Sequence, residues 1–224
     1  MWNVEDKNGF EYEKNNNRGQ INLNQNFGKL IFELAKDFNN KIFVDIGTWN
    51  GLGSTKCFIE AMKLNQNSIL YTIENNTEKI DSAKNSLSND IESNKLDVRF
   101  LNGTFISNDE IDRWIIDNKI VLTEQQQYWL TIDKTNSENL LNINFETIDI
   151  LLIDGSDYSG YLELQLFKDI SKFILLDDVN GLKNKMSREY LINSSDFKLE
   201  HEDLNDRDGY SIFSNKKLID KKND

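Results

Sequence analysis

The sequence predicts an α/β fold, a doubly wound and mostly parallel seven-stranded sheet that ends in an antiparallel hairpin. Three observations predict it. Helical and strand-like apolar periodicities alternate along the chain, each early apolar run is followed by a cluster of acids, glycines or amides, and the last two runs are joined by a short polar turn. A parallel sheet wound by helices on both faces places such clusters on one edge, beyond the carboxyl ends of its strands.

Phe27, Leu30, Ile31, Leu34, Ala35 and Phe38 share one helical face in an N-terminal helical segment over 1–40, and KIFVDI follows as a buried strand. After a glycine-rich stretch, Ser54 or Thr55 is placed to cap a helix carrying Phe58, Ala61 and Met62, and SILYTIE is the second strand. NNTEKIDSAKNSL reads as a capped helix with Ile80, Ala83 and Leu87 inward, and LDVRFLN alternates as the third strand. Residues 105–146 break the rhythm. SNDE and TEQQ both have the spacing of capping boxes, so two helices bearing Trp114 and Trp129 form an insertion, or a lid, on the ligand-facing edge. TIDILLID is apolar enough for a central strand buried on both faces. GYLELQLFKDI, KFILLDD and LKNKMSREYLI continue as helix, strand and helix. FKLEHEDL and GYSIFSN form the hairpin, and 216–224 read as a disordered tail.

A length of 224 residues suits one domain over 1–224. A net charge of −12 argues against a nucleic-acid partner, which needs clustered Lys and Arg. No apolar run reaches the ~20 residues that span a bilayer, and the first residues lack a signal pattern. A cytoplasmic protein with a small-molecule partner and no membrane association is expected, with a homo-oligomer open to it. One cysteine, Cys57, and one histidine, His201, leave no intrachain disulfide and no His-rich metal site, so any metal must be held by oxygen. Cys57 reads as core, His201 as structural or exposed.

Asp45 to Gly53 leave the first strand, Glu74 ends the second, Asn102 to Thr104 the third, Asp154 to Tyr158 the fourth and Asp177 to Asn180 the fifth. Any one cluster suits a turn or a cap; their succession on one edge points to a ligand site. FVDIGTWNGLGST matches neither G-x-G-x-x-G nor the P-loop pattern. Its glycines are Gly47, Gly51 and Gly53, with Trp49 where a phosphate-binding turn wants a glycine. A carboxylate at Asp45 would repel a pyrophosphate and suit a ligand carrying positive charge.

On these residues the chain resembles the class I S-adenosylmethionine-dependent methyltransferases: VDIGTWNGLGS looks like their motif I and YTIENN like their second motif. The resemblance covers roughly residues 25–215. It implies a Rossmann-like methyltransferase fold and a cofactor held by Asp45, Gly47, Thr48, Trp49, Gly51, Gly53, Ser54, Glu74, Asn75, Gly103, Thr104 and Asp154. The glycine loop would lie on the methionine end, Glu74 would take the ribose hydroxyls, and Gly103 and Thr104 would line the adenine. IDILLIDGSDYSGYLELQLF and KFILLDDVN also resemble metal-dependent O-methyltransferases of the macrocin and catechol types, which implies Mg²⁺ held by Asp154, Asp177 and Asp178. The other reading of these acids is that Asp154 lines the pocket while Asp177 or Asp178 caps the next helix. Where catechol-type enzymes carry a lysine base this chain has Asp157, so Asp154 and Asp157 are the candidate bases. Lys183 and Lys185 read as solvated, or as partners of an acidic substrate group; Tyr158 and Trp49 read as core or pocket wall. The implied activity is methyl transfer to oxygen on a small polar acceptor, such as a sugar or a surface-glycan precursor. A non-catalytic methyltransferase-like binding module is the alternative, and an NAD-dependent oxidoreductase a more distant one.

Overall fold

Seven strands form one sheet in the order β3-β2-β1-β4-β5-β7-β6. The computed structural model describes residues 21–37, 41–65, 67–137 and 139–219; Phe38, residues 1–20 of the N-terminal segment and 220–224 of the tail lie outside the described residues. In chain order the elements are α1 (Asn26–Lys36), β1 (Ile42–Ile46), α2 (Ser54–Met62), β2 (Ile69–Glu74), α3 (Thr77–Asn94), β3 (Asp97–Asn102), α4 (Asn108–Asp117), α5 (Glu124–Asn136), β4 (Ile148–Ile153), α6 (Gly160–Phe167), β5 (Ser171–Asp177), α7 (Lys185–Asn193), β6 (Phe197–Asp203), β7 (Tyr210–Asn215) and α8 (Lys216–Ile219).

Strands β1 to β5 are parallel, and β7 runs antiparallel between β5 and β6. The order reverses at β1, whose neighbours are β2 and β4, so a cleft opens beyond their carboxyl ends. Alternation divides the core between the two faces. Phe43, Ile150, Leu152 and Leu175 pack with Phe27, Ile31 and Phe58 of α1 and α2. Val44, Leu151, Ile153 and Ile174 pack with Ile111, Leu164 and Leu191 of α4, α6 and α7. Every residue of β4 is buried, as a central strand requires. No helix among the described residues is long and apolar enough to cross a membrane.

Both expected capping boxes form: Ser107 with Glu110 opens α4, and Thr123 with Gln126 opens α5. Asn76 caps α3 by accepting from the Lys79 N–H. Three expectations are corrected. Gly53, not Ser54 or Thr55, is the N-cap of α2, because both hydroxyls are turned inward to a buried acid. Neither Asp177 nor Asp178 caps α7, whose N-cap is Asn184 without a side-chain capping bond. Residues 216–219 of the expected disordered tail form a helical turn, held where Asn215 Oδ1 accepts from the Lys217 N–H and the Lys216 N–H donates to the Asp196 carbonyl.

Candidate active site

One carboxylate joins the ends of β1 and β2. Glu74, the last residue of β2, accepts from the Trp49 N–H at 2.9 Å and from the Asn76 N–H at 2.9 Å, tying the glycine loop to the start of α3. Burial pushes its acid above the usual range, and the charge of Asp133 adds to the shift against these two donors. The loop is close-packed: a Cβ on Gly47, at φ +108°, would lie 2.2 Å from the Asp154 carbonyl oxygen. Trp49 adopts φ +50°, is 38 % exposed, and its ring lies under the Lys79 ammonium at 3.3 Å.

Asp45 faces away from the cleft. It is fully buried, and its oxygens accept from Ser54 (2.9 Å), Thr55 (2.6 Å) and Thr72 (3.2 Å). Burial pushes its acid up to about 7 against those three bonds. Asp45 and Ser54 therefore brace the loop from behind, as does Thr48, whose hydroxyl is 2.5 Å from that of Thr72. Gly103 and Thr104 are also engaged by the chain itself. The Thr104 N–H donates to the Asn139 carbonyl at 3.0 Å, its carbonyl accepts from the Leu141 N–H at 2.8 Å, and a Cβ on Gly103 would lie 2.4 Å from the Asn139 carbonyl oxygen.

Helix α5 crosses the cleft. Tyr158 donates to the Gln126 carbonyl at 2.6 Å, Ser156 to Asp133 Oδ2 at 2.6 Å, and Asn75 Nδ2 to the Ser137 hydroxyl at 3.1 Å. Asp133, which the sequence reading did not single out, thus joins the acids of the site. Desolvation by the protein packed around it raises its acid, and so does the charge of Asp157, opposed by the Ser156 bond. At the rim, the protein around Asp157 raises its acid; Lys183 lowers it, while Asp178 and Asp154 raise it further. No sequence pattern marks Asp133, because the helix that carries it lies outside the β-α alternation. Tyr158 is buried and Trp114 with it, whereas Trp129 is half exposed. Cys57 is core, and His201, exposed on β6, stacks on Tyr210. A cavity of about 390 Å³ beside Asn24 and Asp203 and one of about 310 Å³ beside Phe105 and Leu162 both lie outside this cleft.

The ends of β4 and β5 carry a charged cluster. Oxygens of Asp154, Asp177 and Asp178 lie within 4.8 Å of one another. Lys183, expected to be solvated, is buried among them: its Nζ is 2.8 Å from Asp154 Oδ1 and 2.7 Å from Asp178 Oδ2. Arg207 Nη2 lies 2.8 Å from Asp177 Oδ2 and 3.8 Å from Asp178 Oδ1. Lys185 is exposed as expected. Three carboxylates close together have the donor chemistry of a Mg²⁺ site. With an ammonium bridging two of them and a guanidinium on the third, the residues as arranged do not fit a divalent cation. Glu74 does fit a ribose-bearing ligand, since a carboxylate offers about four lone-pair sites and the bonds among the described residues take two. Around it, Asp133, Asp154 and Asp157 make the cleft favourable to positive charge.

No family model and no curated protein matches this sequence. Solved structures do. A methyltransferase from Geobacter sulfurreducens is 14% identical, with a TM-score of 0.59 over 92% of this chain and 84% of its own. An O-methyltransferase from Bacillus cereus, solved in complex with SAH, is 15% identical, with a TM-score of 0.58 over 92% and 88%. The O-methyltransferase TomG from Streptomyces achromogenes, involved in tomaymycin synthesis and solved with SAM, is 16% identical, with a TM-score of 0.59 over 92% and 86%. The likeness is one of fold, which this chain shares with these methyltransferases.

Proposed function

We propose that the chain is an S-adenosylmethionine-dependent methyltransferase acting on oxygen in a small polar acceptor, such as a sugar or a surface-glycan precursor. The observation that carries this reading is Glu74: a carboxylate at the end of β2, bonded to the loop that leaves β1, at the point where the strand order reverses. When bound, the cofactor would supply an electrophilic methyl group on a sulfonium to the acceptor oxygen. Glu74 holds the ribose, the loop from Gly47 to Gly53 sets the methionine end, and the surrounding acids favour its cationic groups. Helix α5 excludes water and orients the acceptor. Asp157 at the rim receives the acceptor proton, since Asp154 Oδ1 is already engaged by Lys183.

Calorimetry with S-adenosylmethionine and its demethylated product tests the first step, and release of that product over a panel of hydroxylated acceptors tests the second. Binding in the tens of micromolar with turnover on at least one acceptor is expected. Absence of binding sinks the reading; binding without turnover on any acceptor favours the non-catalytic module.

A further inference from the structure

The acidic cluster at the ends of β4 and β5 already holds its cations, and both belong to the chain. Lys183 Nζ stands 2.8 and 2.7 Å from oxygens of Asp154 and Asp178, the bridging position that an ion shared by those two carboxylates would take. A Mg²⁺ ligated at about 2.0–2.1 Å to the same oxygens would collide with the ammonium. Asp177 is closed separately by Arg207 at 2.8 Å.

The lysine is held in place by its backbone. Asn184, the next residue, is fully buried, and its Nδ2 donates to the Ile153 carbonyl at 2.9 Å and the Asp177 carbonyl at 2.8 Å, pinning the loop to the ends of both strands. On the other side a Cβ on Gly160 would lie 2.5 Å from the Lys183 carbonyl oxygen, so α6 packs directly on the same peptide. Arg207 is likewise fixed: its turn is tied to the loop after β5 by the Val179 N–H to the Gly209 carbonyl (3.1 Å) and the Asn180 N–H to the Asp208 carbonyl (2.9 Å).

We propose that Lys183 is the resident cation of this site, filling the place of a divalent metal, and that one of its ammonium N–H groups meets the acceptor oxygen beside Asp154. An ammonium has three donors, of which two face Asp154 and Asp178, leaving one that no described residue takes. The placement of the acceptor rests on the methyltransferase reading; the exclusion of metal does not, and it is tested without turnover.

Mn²⁺ serves as the probe, followed by electron paramagnetic resonance on the full chain, with Mg²⁺ as competitor. The unsubstituted protein is expected to bind no Mn²⁺ tighter than about 1 mM, and its melting midpoint to be indifferent to chelator. Lys183→Met keeps the length of the side chain and removes the charge, and should gain a Mn²⁺ site at least about tenfold tighter, competed by Mg²⁺. Lys183→Arg, which restores a cation, should bind none. One Mn²⁺ bound in the micromolar range by the unsubstituted protein and lost in Asp154→Asn overturns the proposal, as does a folded Lys183→Met that binds no metal. If Lys183→Met folds only when Mn²⁺ is added, the cluster's need for a cation is shown directly and the proposal stands. If it fails to fold under every condition, the titration of the unsubstituted protein decides.

Discussion

Replacing Glu74 by glutamine removes the charge and leaves one acceptor oxygen where two each take a backbone N–H, so the variant weakens both the bracing of the loop and the recognition of a ligand. Hydrogen bonds to a charged group contribute about 1.5–3 kcal/mol, so Glu74→Gln should weaken S-adenosylmethionine binding about 10- to 100-fold in calorimetry. An unchanged dissociation constant would remove Glu74 from the ribose. Asp45 shows what a residue's type leaves out. Its place before the glycines suggests contact with a cation, yet along β1 it alternates with Val44 and shares the face of Phe43, which packs on α1 and α2. That alternation sends Asp45 to the hydroxyls of Ser54 and Thr55 at the start of α2. The period was readable in VDIG, but the presence of inward hydroxyls to satisfy the acid was not.

At the scale of elements, α5 differs from its neighbours in having no buried residue. It lies across the cleft on polar contacts from Asn75, Ser156 and Tyr158 and on a bond from Asn108 Nδ2 to the Lys134 carbonyl, with the partly buried Leu130 as its apolar contact with the core. Such a helix opens at low cost, because little apolar surface is exposed when it lifts. Amides of 124–136 should therefore exchange with deuterium much faster than those of β4, and slow when S-adenosylmethionine is added. Thr123→Ala, which removes half of the capping box, should speed that exchange by weakening α5 about 1 kcal/mol. Protection of α5 equal to that of β4 in the free protein would exclude a lid.

The elements themselves were legible, because each rests on local information: apolar period, capping residues, and the uniformly apolar β4. The cleft's position was legible too, since it follows from the strand order. What the chain hid were pairings between distant segments. Lys183 reads as an ordinary surface lysine until Asn184 and Gly160 fix its loop. Asp133 gains its role only when α5 crosses to Ser156, and Arg207 only when the turn after β6 reaches Asp177.

For the whole molecule, the acids that the surrounding protein displaces upward set the response to pH. Asp45 is pushed up to about 7 by burial, and so is Glu163, whose Oε1 accepts from Ser159 at 2.9 Å. The acids of Glu74, Asp133 and Asp157 are displaced in the same direction. An acid raised by folding keeps its proton in the native chain where the unfolded chain has lost it. From the ordinary carboxylate range up to about 7 the native state therefore binds more protons, and stability falls as pH rises through that window. Acids shifted the other way, Glu60, Asp90, Glu110, Glu200 and Glu202, are paired with cations or hydroxyls and act below the ordinary range. Urea midpoints of the ligand-free protein should thus decline from pH 5 to 7 and level off above, and Asp45→Asn with Glu163→Gln should flatten much of the slope. A midpoint that rises over this interval would mean that Asp45 is ionised in the folded chain. Binding of a cationic cofactor should run opposite: ionising Glu74, Asp133 and Asp157, all raised above the ordinary carboxylate range, strengthens the attraction, so affinity for S-adenosylmethionine should increase as pH rises above that range.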